Sequence, residues 1–259
     1  MDFNLETYKL FIKSLQSNGF KLHSFNEYVI NKPENKICIL RHDIDRASKH
    51  IQHFAEFEQQ NGIKATYYFP TKLINNSPDL IKKIAALGHE IGYHYNDFSL
   101  SPGNFTAAFK SLKINLEKLR KLVPVNSLCM DGKPLHSQDN RKLWDQFNYK
   151  ELGILGEIYL EIDYNEFAYY TDTGRKWNNK NINVRDKVVT NKEWPVYKST
   201  FEMINAIKAG TFPEKAVINI HPEHWTDNSY DWTKKLVWQS FKNVFKFVLI
   251  KVRKMNRTN

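Results

Sequence analysis

What the chain lacks narrows its class first. No apolar run in its 259 residues approaches the ~20 a membrane-spanning helix needs. The opening MDFNLETYKLFIKSLQ has no uninterrupted apolar core and no small-residue cleavage site, so no signal peptide is read and a cytoplasmic location is expected. Cysteine is scarce: Cys38 and Cys129 each sit in an apolar run (ICIL, SLCM), which argues for two buried thiols over a disulfide or zinc-finger framework. No GxGxxG or GxxxxGK[ST] phosphate loop occurs, and no zinc-finger or RNP-type motif. Acidic residues are missing from 232–259, where eight Lys/Arg stand; the other 30 basic residues nearly balance 28 acidic ones. The net charge of +10 is therefore local to one end, whereas a nucleic-acid binder would spread it over a face, so no nucleic-acid partner is expected. With no Pro/Gly/Ser-rich linker, repeat or low-complexity tract, one domain over 1–259 is expected.

What is present is alternation. Leu5, Tyr8, Phe11, Ile12 and Leu15 recur at helical spacing and predict a helix over 2–17. From Lys36 onward short apolar runs read as strands at 36–42, 63–70, 89–94, 126–130 and 215–221, with one or two more within 151–172. Between them helices are predicted at 47–61, 78–87, 102–123, 139–147 and 199–209, the last opened by the Ser199/Glu202 capping pattern. Residues 173–196 read as an irregular excursion and 230–254 as a final helix. Six or seven such βα units imply parallel strands, in a closed or nearly closed barrel or in an open sheet.

Chemistry-bearing residues fall at the strand ends. Asp43 and Asp45 follow the first strand, His94 ends the third, Asp131 follows the fourth, and Asp172 and His221 end later ones. In parallel α/β barrels those ends meet at one mouth. In RHDID (41–45) the two aspartates share one direction while the backbone stays extended; two like charges held together call for a cation, which one carboxylate would ligate while the other acts on a bound water. A salt-bridged turn with Arg41 and Arg46 is the plainer alternative. In GHEIGYHYND (88–97), His89 and His94 point to opposite faces of a strand, but His94 and Asp97 meet if a helical turn follows, so His94 and Asp97 are the metal candidates and His89 a loop-ordering residue. In INIHPEHW (218–225), His221 ends a strand blocked by Pro222 and suits a proton donor, with His224 as alternative. Asp131, before the Gly132/Pro134 turn, with Arg175 and Trp177 in TDTGRKW, are the substrate-binding candidates, Trp by stacking and Arg by hydrogen bonding.

Taken together, RHDID, LGHEIGYHYND and INIHPEHW, in that order over roughly 36–225, resemble the motifs of the polysaccharide deacetylase (NodB-homology, carbohydrate esterase) family. The resemblance implies a deformed (β/α) barrel of about seven strands and a divalent metal, with zinc the leading expectation. It also implies an enzyme that removes acetyl from N- or O-acetylated sugars or glycan precursors. It assigns Asp43 as base, Asp45 and His94 as metal ligands, and His221 as acid. Three features differ from the family pattern: Ile44 separates the aspartates, the second ligand histidine falls on Phe98 with Asp97 its nearest substitute, and CMDGKP stands in place of an arginine-containing motif. A non-catalytic carbohydrate-binding protein on the same barrel is the alternative. In the last helix, Val237, Phe241, Val244, Phe245, Val248 and Val252 form a stripe suited to packing on the barrel; its basic end suits peripheral contact with anionic membrane, with a solvated basic end the plainer alternative.

Overall fold

The computed structural model describes residues 1–132, 138–175, 177, 188–234 and 237. In chain order the elements are α1 (Leu5–Ser17), β1 (Lys21–His23), α2 (Phe25–Asn31), β2 (Ile37–Asp43), α3 (Lys49–Gln60), β3 (Thr66–Phe69), α4 (Thr71–Asn76) and α5 (Pro78–Ala86). There follow β4 (Glu90–Tyr95), α6 (Asp97–Leu100), α7 (Phe105–Arg120), β5 (Ser127–Met130), β6 (Gly156–Glu157), α8 (Ile158–Glu161), β7 (Ala168–Thr171), α9 (Thr200–Lys208) and β8 (Lys215–Ile220).

Seven strands run in the order β6-β5-β4-β3-β2-β8-β7, with β1 beside the first half of β2, and every pairing is parallel. This is the deformed barrel of about seven strands that the resemblance implied. Between β6 and β7, where no ladder is found among the described residues, the hydroxyls of Tyr159 and Tyr169 approach to 3.4 Å.

The helices form because their apolar stripes have this sheet to cover. In α1 the expected stripe is real: Tyr8, Phe11, Ile12 and Leu15 are fully buried, each stabilising the fold by roughly 1.5–3 kcal/mol. The Asn4 side chain accepts from Thr7 N–H and caps that helix. Three departures from the sequence reading have local causes. The segment 18–35 holds β1 and α2, whose three and seven residues are too short to show a period. The helix expected over 102–123 is α7, Phe105–Arg120, whose start is delayed past Gly103, at φ +77; the separate short α6 precedes it. The helix expected over 139–147 is a 3-10 turn, Asn140–Asp145. Of the helix expected over 230–254, residues 230–234 and Val237 are helical and Val237 is exposed, while Phe241, Val244, Phe245, Val248, Val252 and the proposed membrane-contacting end lie outside the described residues. Among the described residues no helix is long and apolar enough to cross a membrane.

Candidate active site and metal centre

Strand alternation sorts β2 into two chemistries. Cα partners in a parallel ladder point to the same side, so Arg41, aligned with Asn219, and Asp43, aligned with Tyr68, face the barrel interior, while His42 faces the helices. Arg41 is fully buried and grips Asp43 with two bonds, Nε to Oδ1 at 3.1 Å and Nη2 to Oδ2 at 2.6 Å. The guanidinium also donates to Tyr159 Oη at 2.7 Å and lies over the rings of Tyr159 and Tyr169 at 4.7 and 5.7 Å. Asn219 Nδ2 donates to Asp43 Oδ2 at 2.9 Å. Burial by itself would raise the Asp43 carboxyl, but the Arg41 guanidinium, with His94 and His221, outweighs it and holds the group well below the usual carboxylate range. Asp43 is therefore ionised near neutral pH.

His94 approaches from two strands away. The Tyr68 ring lies across Gly92, where a Cβ would stand 2.3 Å from it, so only glycine leaves room for that ring between β2 and β4. His94 Nδ1–H donates to the Cys129 carbonyl at 3.0 Å, leaving Nε2 as the nitrogen that faces Asp43 Oδ2 at 4.0 Å. That gap is beyond a hydrogen bond. It is a separation two donors of one ion span, given metal–nitrogen and metal–oxygen bonds of about 2.0–2.2 Å, and the backbone bond at the far nitrogen is the usual support of a metal-binding imidazole. Cys129 Sγ also lies 3.9 Å from Asp43 Oδ1.

At the ends of β7 and β8 a second pair forms. Asp172 accepts from His221 Nδ1–H at 2.6 Å, from the His221 backbone N–H at 3.1 Å, and from Trp225 Nε1–H at 2.6 Å. Burial would lower His221, but Asp172, then Asp45 and Asp43, push it up to about 10, so it stands as an imidazolium with Nδ1 engaged. Asp45, beyond the end of β2, is exposed, and its backbone N–H donates to Glu223 Oε1 at 2.7 Å.

The candidate residues divide. Asp43, His94 and His221 converge: both His94 and His221 act electrostatically on Asp43. Asp45 gathers with Glu223 and His224, because the strand ends at Asp43 and the extended alignment of the two aspartates ends with it. Asp97 is fully buried, and its oxygens accept from Tyr93 Oη (2.7 Å), Ser111 Oγ (2.6 Å) and Asn115 Nδ2 (2.9 Å), fixing α6 to α7 rather than meeting His94. Asp131 stands at the mouth, where Oδ2 accepts from Asn96 at 2.9 Å; its N–H goes to Tyr95 O at 2.7 Å. Lys133 and Pro134 of CMDGKP lie outside the described residues. Arg175 and Trp177 are buried: the guanidinium lies between Phe3 and Trp232 at 5.5 and 5.0 Å, and the indole donates to Thr200 at 2.8 Å. Both fasten the N-terminal segment instead of lining the mouth. His89 does order a loop, accepting from Ala65 N–H at 3.2 Å and donating to Ala55 O at 2.9 Å. The partners Arg41, Asn219, Asp172 and Glu223 escaped the sequence reading as site residues, although Arg41 two before Asp43 and Asp172 at a strand end were visible in it.

Residues 31–111 match the polysaccharide deacetylase family. Solved structures with a similar fold include a family 4 carbohydrate esterase from Bacillus anthracis (15% identity, TM-score 0.41, 90% of this chain and 86% of that one). Another is the catalytic domain of peptidoglycan N-acetylglucosamine deacetylase from Eubacterium rectale (14% identity, TM-score 0.47, 80% and 86%). A third is a family 4 pseudoenzyme from Bacillus anthracis (14% identity, TM-score 0.42, 83% and 62%). No curated protein matches the chain. The matched segment contains both RHDID and GHEIGYHYND, the stretches that place Asp43 at the end of β2 and His94 in β4.

Proposed function

We propose that the protein is a metal-dependent hydrolase that removes an acetyl group from an N- or O-acetylated sugar or glycan precursor. The observation that carries this reading is the pairing at one mouth of an ionised carboxylate, Asp43, with a charged imidazole, His221, whose Nδ1 is tied to Asp172. His94, with its ligand nitrogen already set by the Cys129 carbonyl, and Asp45 of RHDID would hold the ion, leaving Asp43 as the base. Zinc suits this nitrogen and oxygen set. When bound, the ion supplies a Lewis acid for the acyl carbonyl and makes the attacking water acidic.

The chain's own groups then divide the proton work. Asp43 takes the proton released as water adds to the acyl carbon. Its bonds from Arg41 keep it ionised near neutral pH, the form that can accept. As the carbon–nitrogen or carbon–oxygen bond breaks, His221 gives a proton to the departing amine or alkoxide, and Asp172 compensates its charge before that transfer. The buried Phe98, standing where the family has a ligand histidine, favours the second reading, a carbohydrate-binding protein without turnover. Metal content and acetate release from a panel of N- and O-acetylated sugars separate the two. Acetate release dependent on the ion supports the enzyme, while sugar binding with no acetate release, at full metal occupancy, supports the second reading.

A further inference from the structure

Behind the Asp172–His221 pair an aromatic cluster reaches the segment that precedes α1. Trp225 follows the 3-10 turn Pro222–His224 and is fully buried. Its Nε1–H donates to Asp172 Oδ2 at 2.6 Å, while Asp172 Oδ1 takes the His221 Nδ1–H at the same distance. One side-chain donor on each oxygen stops the carboxylate from turning. An indole can only donate, so its bond favours the ionised carboxylate. Burial would raise the Asp172 carboxyl, but His221 first and, among smaller contributions, the Trp225 bond hold it below its ordinary value. The Nδ1 proton therefore stays on His221, and the one open to a leaving group is that on Nε2.

The indole is itself held by Phe3. The two rings meet edge-on at 5.2 Å, with Tyr8 and Phe54 each at 5.8 Å from Trp225. Phe3 has φ +57, a left-handed backbone that is uncommon for a residue with a Cβ and persists where the surroundings over-determine it. Here they do. Phe3 O accepts from Thr226 N–H at 3.1 Å, Leu5 N–H donates to Asp227 Oδ1 at 3.0 Å, and Asp2 O accepts from Trp232 Nε1–H at 2.6 Å. Residues 2–5 are thus tied to the stretch that follows Trp225.

We infer that Trp225 is a positioning residue for the proton donor, holding Asp172 in line with the His221 ring, and that Phe3, in its strained backbone, holds the indole for that bond. The inference rests on the reading of His221 as proton donor above. A buried indole commonly finds some acceptor. Here the acceptor is the carboxylate that orients His221, so the packing of residues 2–5 is transmitted to the reacting group.

The test compares the zinc-loaded full chain with Trp225→Phe, which removes the N–H and keeps an aromatic ring, and with Phe3→Ala, which keeps the indole. Phe212→Leu serves as a core substitution whose ring neighbours, Phe20, Tyr170 and Tyr197, lie outside the Phe3–Trp225–Asp172–His221 chain. Two readouts are taken on folded protein: kcat and KM for acetate release from a panel of acetylated sugars, and the downfield proton resonance of His221 Nδ1–H, assigned by its loss in His221→Ala. A misplacement of about 1 Å costs on the order of 10²-fold in rate. Trp225→Phe is expected to lose roughly 10–10²-fold in kcat with KM little changed, and to shift or broaden the resonance. Phe3→Ala is expected to show a smaller loss of the same kind, and Phe212→Leu neither effect. Wild-type kcat and resonance in Trp225→Phe, or an equal loss in Phe212→Leu, overturns the positioning role and leaves the proton-donor reading standing. Wild-type behaviour of Phe3→Ala overturns the role of Phe3. No acetate release by the wild type from any sugar of the panel overturns both readings.

Discussion

The two faces of β2 carry nearly the same chemistry to opposite ends. On the inner face Asp43 is gripped by Arg41 and Asn219, and it lies at the strand end beside His94. On the outer face His42 donates to Glu58 of α3 at 2.7 Å. That carboxylate also accepts from Tyr67 Oη at 2.7 Å and from Tyr8 Oη, with His89 at 3.7 Å. Both carboxylates are buried and ionised, and both are held below their usual range against the opposing effect of burial. The difference is closure. α1 and α3 seal the Glu58 network, so its free energy is confined to holding helices on the sheet. Asp43 stands where the strand ends meet, with a gap on the His94 side. Under the proposed function, position along the strand, and not burial and pairing alone, marks Asp43 as the candidate catalytic carboxylate.

Breaking the sealed network should give the largest change in stability. Glu58→Leu leaves His42, Tyr8 and Tyr67 without their common acceptor and should cost about 3–5 kcal/mol in urea unfolding, with turnover of the folded fraction unchanged. A small loss there would mean the network relaxes or admits water. On the inner side, His221→Ala should lower turnover roughly 10²–10⁴-fold while the melting transition moves little. A variant within a factor of two of wild type would remove the proton-donor role.

The pH responses should separate as well. The Glu58 carboxyl is depressed in the folded state, so its stabilisation is present above the unfolded value near 4.5 and is lost as pH falls through the lower folded value. Glu58→Gln should flatten that acid limb of stability; an unchanged limb would locate acid unfolding elsewhere. His221 is raised to about 10, so its contribution is complete below the unfolded value near 6.5 and is lost as pH rises through about 10. In activity the same shift keeps the proton donor charged far into alkaline pH. Asp172→Asn should bring the alkaline limb of kcat/KM down toward neutrality, and a limb that stays in place would deny Asp172 its role. The smallest effect is expected at Arg175: Arg175→Gln should lower stability by about 1 kcal/mol through lost contacts with Phe3 and Trp232 and leave the KM for a sugar substrate unchanged. A raised KM would return Arg175 to the binding surface.

Much of this was legible because strand ends are legible. The apolar runs located β2, β4 and β8, and with them Asp43, His94 and His221. What hid was direction and partnership. RHDID had a salt-bridged turn as its alternative reading, and Arg41 does pair with Asp43, yet inside the barrel, which no local pattern reveals. Asp97 looked available three residues after His94, but Ser111 and Asn115 on α7 reach it from outside the motif. Arg175 and Trp177 resembled sugar-binding residues in type, and their burial depends on Phe3, about 170 residues away in sequence. The Asp172–His221 bond spans 49 residues and joins two strands that only the sheet order makes neighbours.

The central claim is that closure separates the two carboxylates, and turnover of Asp43→Asn against Glu58→Gln, each measured on metal-loaded, folded protein with one acetylated sugar, tests it most directly. The account predicts that Asp43→Asn loses roughly 10²–10⁴-fold in acetate release while Glu58→Gln keeps wild-type turnover. Equal turnover in Asp43→Asn and wild type, or a comparable loss in Glu58→Gln, would contradict it.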